Sequence, residues 1–198
     1  MMMWHLLAAT MLSGPAQASP YAPPVNADPV AQRDEMIALY DEICLRAFPS
    51  DNAAADAAAR HDATPLTRDE VSIYLHEDPG VGWSLNGRSG RFTVTIEAPP
   101  FHACAIRTMT AAGFADWAPY HALADHYEEG GDYQRMDRVQ FTRDNLDVAG
   151  GGEQRTTRDG GTESLLVIVT TPVRAVRDRG ETGVEVRFTH QLAAPGMH

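Results

Sequence analysis

The stretch "EQRTTRDGGTESLLVIVTTP", residues 153–172, decides the fold class. Asp159-Gly160 lies between two extended halves, and Asp-Gly in that setting specifies a tight hairpin turn. The second half, Leu165 to Thr171, is the most hydrophobic run outside the first 18 residues and is predicted as a central strand. Working outward, "RAVRDRGETGVEVRFTHQ" (174–191) gives another hairpin around Arg179 to Gly183, with Val184, Val186 and Phe188 on one face. Upstream, "RFTVTIEA" (91–98) alternates Phe92, Val94 and Ile96 with polar residues. "PPF" turns the chain, and "HACAIRTM" (102–109) returns as its partner. "DYQRMDRVQFTR" (132–143) reads as a strand with a polar face. "DNLDVAGGG" (144–152) and the wider glycine-rich run 149–161 read as loop, on composition.

Helices come before this sheet. Met36, Leu39, Tyr40, Ile43 and Ala47 recur at helical spacing, Cys44 lies inward beside them, and Pro49 ends the segment. "SDNAAADAAARHD" (50–62) is a short helix capped by Ser50 or Asp51, with little to bury. Thr67 and Glu70 form a capping-box pattern ahead of Arg68 to Leu75, which favours a helix, while "VSIYL" keeps a strand open. A further helix is inserted at 113–131, with Asp116 as cap, Pro119 in its first turn and Gly130-Gly131 as stop. The expectation is an α+β domain over 31–192. N-terminal helices pack on one face of a mostly antiparallel sheet of five to six strands, with one inserted helix and a tail at 193–198.

The first 18 residues, "MMMWHLLAATMLSGPAQA", are apolar and end in a small-x-small pattern, the expectation for a signal peptide cut after Ala18. Residues 19–30 hold four prolines and read as a flexible leader. The expected compartment is therefore the periplasm or the exterior. No later segment has the roughly 18 to 20 apolar residues that a membrane helix needs, so no stable membrane insertion is expected. The formal charge of −11, with 16 Arg and no Lys, lacks the basic footprint that nucleic acid requires.

Cys44 and Cys104 make an even pair in an exported chain, which favours a disulfide. His102 shares a strand face with Cys104, so a base beside a thiol is geometrically open. An oxidising compartment and a second cysteine argue for the staple instead. His121 and His126 are five apart, about 140° around a helix, and do not grip one metal ion. "HEDPGVGW" (76–83) sets His76, Glu77 and Asp78 in a turn before Trp83; with His102 these are the candidate binding residues. Phosphate-loop, zinc-helix and serine-elbow motifs are absent from the sequence, and no cofactor or metal is expected.

A Cys before Phe-Pro, a Gly-x-Gly-Trp element and a second Cys after a strand are here Cys44, Phe48, Pro49, Gly80, Gly82, Trp83 and Cys104. This pattern resembles uncharacterised exported proteins of Gram-negative bacteria. The resemblance implies export and a disulfide, and brings no activity with it. The expected function is a non-enzymatic binding or accessory protein of the cell envelope, with a protein or small molecule as partner. The alternative is a periplasmic hydrolase drawing on His76, Glu77, Asp78 and His102.

Overall fold

The computed structural model describes residues 28–180 and 182–196. The expected signal segment 1–18 therefore lies outside the described residues, as does most of the leader. Helix α1 (Pro29–Leu39) starts where the Asp28 side chain accepts from the Val30 amide and Pro29 takes the first turn. It runs on without a break into wider, π-wound turns, Tyr40–Ala47. This winding turns Tyr40, Ile43, Cys44 and Leu45 all inward. Helix α2 (Asp51–Ala59) is capped by Ser50. Its Ala54, Ala57 and Ala58 are fully buried, so this helix packs closely against its neighbour where a surface helix was expected. Helix α3 (Arg68–Leu75) has the Thr67/Glu70 capping box, and α4 (Ala118–Glu128) follows Asp116, whose carboxylate accepts from the Ala118 amide.

The class is α+β, and the sheet is larger than expected. Among the described residues it holds nine strands, all antiparallel: β1 (Thr64–Pro65), β2 (Gly80–Asn86), β3 (Arg91–Glu97), β4 (Phe101–Thr110), β5 (Gln134–Arg135), β6 (Val139–Arg143), β7 (Leu146–Thr156), β8 (Thr162–Pro172) and β9 (Val184–Ala193). The order is β1-β2-β3-β4-β9-β8-β7, with β5 and β6 both paired to β7. The longest strand stretches missed from sequence, β2 and the first part of β7, are rich in glycine. In β2, a Cβ on Gly80 would stand 2.3 Å from the Ile96 carbonyl oxygen and 2.4 Å from Leu75 Cδ1. The "AGGG" expected in a loop is the middle of β7, where a Cβ on Gly152 would stand 2.0 Å from the Leu165 carbonyl oxygen. These glycines answer to close packing, not to flexibility.

One sheet face carries Ile96, Cys104, Ile106, Leu165, Val186 and Phe188 and is covered by α1, its π-wound extension and α4. Tyr40 meets Phe188 edge-on at 5.5 Å, and Tyr120 lies 4.5 Å from the same ring. Cys44 and Cys104 are disulfide-bonded, with Cα atoms 5.4 Å apart, tying the π-wound turns to β4. Helix α3 corrects the one-face expectation. It lies on the opposite face, where Tyr74 receives the Arg107 guanidinium 4.7 Å above its ring. The outer face of β3 and β4 presents Thr93, Thr95 and Arg107, and their polar tips and long stems require such a cover.

Candidate functional site

The residues singled out from sequence do not converge. His76, Glu77 and Asp78 are exposed in the turn after α3. His102 projects from the opposite sheet face, where its Nε2 lies 2.8 Å from Asp51 Oδ1 and its ring 4.5 Å from Phe48. It fastens the β3–β4 hairpin to the start of α2, which supplies the partner that was not visible in sequence. Trp83 is half-buried in β2, opposite Val94, at the border of the core. None of these five residues lines either of the two cavities described below.

The larger cavity, about 1210 Å³, is an open trough between α1 and the β2–β3 loop. Most of its charged groups are already engaged. Glu42 accepts from Arg60 at 2.8 Å and lies 2.8 Å from His61 Nε2, and Glu35 accepts from the Arg88 and Ser89 amides. Little is left there to attract a ligand.

The second cavity, about 450 Å³, lies between α4 and the β7–β8 floor. Its helical wall is Trp117, Tyr120, His121, Ala124 and Glu128, at spacings of three, four, seven and eleven from Trp117, which is one helix face. Its floor alternates along the strands: Ala149, Gly151 and Glu153 of β7 beside Leu165, Val167 and Val169 of β8. The space exists because Ala149 and Gly151 lift almost no side chain towards the helix. A Cβ on Gly151 would meet only Arg138 Cγ, at 3.7 Å. Arg135, Met136 and Arg138 close one end.

Glu128 is the distinctive group. It sits on the last turn of α4, the end whose dipole disfavours a carboxylate. Its Oε1 is sealed from solvent and has no hydrogen-bond partner among the described residues. Burial, then a hydrogen bond shared with the Glu153 carboxyl and the charges of Glu153 and Asp125, push its pKa up to about 8. Arg135 approaches Glu153 only at 3.7 Å and is itself 79% exposed. Burial and the fields of Glu128 and Glu153 also raise the Tyr120 phenol.

Behind this cavity lies a second, closed network. Glu163 Oε1 accepts from Tyr127 at 2.9 Å and from His190 Nε2 at 2.8 Å, and its Oε2 accepts from Arg155 Nε at 2.7 Å. Burial pushes Glu163 up, but those hydrogen bonds outweigh it and hold the group down at about 2. The Nδ1 of His190 donates to the Cys44 carbonyl at 2.7 Å, joining β9 to the disulfide-bearing turn. Both ring nitrogens are thus engaged, one by a carboxylate and one by a carbonyl. His190 is only 1% exposed, and no residue of this network lines either cavity. Sequence reasoning missed both groups. The i, i+3, i+4, i+7, i+11 pattern ending in Glu128 was available as a signal. Glu153 and the glycines were hidden by the loop reading.

The fold and cavity together define an α+β protein with a helix-walled pocket over an antiparallel sheet. No family model, curated protein or solved structure matches the chain.

Proposed function

We propose that this chain is an exported, non-enzymatic binding protein of the cell envelope that holds a small molecule in the cavity between α4 and β7–β8. The observation that carries the reading is the facing pair of carboxyls, Glu128 and Glu153, lining a cavity of about 450 Å³, within the range of small-ligand sites. A carboxyl held against a second carboxyl in a cavity wall is a group that a ligand's donors or positive charge can engage. The Cys44–Cys104 disulfide supports an oxidising compartment, and no helix among the described residues is long and apolar enough to cross a membrane. Trp117 in the wall is the natural reporter. A saturable change in its emission with members of a chemically diverse small-molecule set, lost in Trp117→Phe, is the expected result; no response to any of them would remove the reading. Mass spectrometry of the exported, unreduced protein should find cleavage after Ala18 and the intact disulfide.

The same carboxyl pair favours a second reading, a periplasmic hydrolase with Glu128 as acid and Glu153 as base. A carboxyl raised by burial beside a second carboxyl is an arrangement such chemistry uses. Chromophore release from nitrophenyl glycosides, esters or phosphates, abolished by Glu128→Gln, would favour hydrolysis over binding alone.

A further inference from the structure

We propose that the ligand of this cavity is an organic ammonium, whose cationic head enters between Glu128 and Glu153 while its apolar body lies along Trp117, Met136 and Val167. The inference rests on the binding reading above and adds the chemical class. Glu128 and Glu153 both line the pocket, and their carboxyls face one another there. An ammonium brings the donors and the opposite charge that this pair lacks. The pocket's apolar lining continues from that point with the aromatic Trp117 and Tyr120 in the wall and Leu165 and Val167 in the floor.

The other charged groups do not supply that countercharge. From α4 itself, Asp125 adds a third negative field, and His121 lines the outer wall. From β7, Glu153 faces Glu128 directly. From β5, Arg135 meets Glu153 at 3.7 Å from an exposed position, where an ion pair contributes little. Arg138 lies beside Gly151 at the cavity's end, with Arg135, and the pair leaves room for a polar or anionic tail on the ligand. Tyr40, behind Tyr120, is buried and uncharged.

The charge bookkeeping makes a second signature. The empty pocket relieves its like-charge repulsion by keeping a proton on Glu128. A bound ammonium takes that proton's place, so binding releases about one proton to buffer below pH 8. Affinity then rises with pH through the slightly acid to neutral range, by up to about tenfold per unit.

Calorimetry on the unreduced full chain, with three probes of one body, tests this: 2-phenylethylamine, 2-phenylethanol and 3-phenylpropanoate. Near pH 7.5 the amine should bind about tenfold or more tightly than either other probe. It should weaken near pH 6, and its apparent heat should vary with the ionisation enthalpy of the buffer. Glu128→Gln, nearly isosteric, should erase the preference for the amine and the proton release while leaving the alcohol's response at Trp117. Glu153→Gln serves the same purpose if the first variant does not fold. Tighter binding of the alcohol or the carboxylate would overturn the ammonium and leave the pocket standing. Silence of all three to about 10 mM, with the fold verified, would remove both.

Discussion

Glu163 and Glu128 are two carboxyls in neighbouring parts of one molecule with opposite fates. Glu163 is buried on β8 and held down at about 2, because Tyr127, His190 and Arg155 all donate to it. Glu128 follows Tyr127 directly in sequence and is pushed up to about 8, because its side chain turns towards another carboxyl instead of a donor. Burial acts in the same direction on both. The number of donors decides the outcome. The satisfied group joins β8, β9 and the disulfide-bearing turn, whereas the unsatisfied one lines a cavity. Within a single fold, that contrast separates a carboxyl surrounded by donors from one set against another carboxyl.

The strongest way to break the comparison is to remove the satisfied member. Glu163→Ala strands His190 and Arg155 beside a void, and loss of one partner of a buried pair costs about 3 to 5 kcal/mol. Urea unfolding should show that loss, and a cost below about 1 kcal/mol would mean the network does not hold the fold. Next come two adjacent glycines. Gly152→Ala drives a Cβ into the Leu165 carbonyl and should cost about 2 kcal/mol or more, enough to lower the midpoint clearly. Gly151→Ala has room and should fold normally, but it narrows the cavity floor and should weaken ligand binding. If the two variants behave alike in urea, the assignment of the glycines to opposite strand faces is wrong.

Much of this was legible in sequence and some could not be. The Asp159-Gly160 hairpin, the Thr67 capping box and the helix ending before Pro49 stand as read, since each rests on local chemistry. Strand β2 and the first part of β7, residues 146–152, were not legible because glycine is ambiguous: absence of a side chain serves a mobile loop and a crowded backbone equally. The distance from Gly152 to the Leu165 carbonyl distinguishes them, and that distance is a tertiary fact. The staple between Cys44 and Cys104 followed from parity and compartment. The candidate site did not follow, because His76, Glu77 and Asp78 drew notice as a cluster in sequence while Glu128 and Glu153 meet only through the sheet.

The smallest effect sharpens the contrast most. Glu163 has a depressed pKa, so its stabilisation is present above about pH 4.5 and is lost as pH falls towards 2. Glu128 has a raised one. The folded state holds its proton more tightly than the unfolded chain, so stability falls as pH rises from about 4.5 through 8, then levels. The two carboxyls therefore give the stability profile opposite limbs, one rising and one descending, that meet near pH 4.5. Glu128→Gln keeps the shape and removes the titration, so it should flatten the descending limb and leave the acid limb in place. Because Glu128 is only partly buried, the gain near pH 8 should be about 1 kcal/mol, read from urea midpoints of the two proteins across the range. A descending limb that persists unchanged in the variant would place its origin elsewhere. It would also remove the unfavourable charge on which recognition of a cation depends.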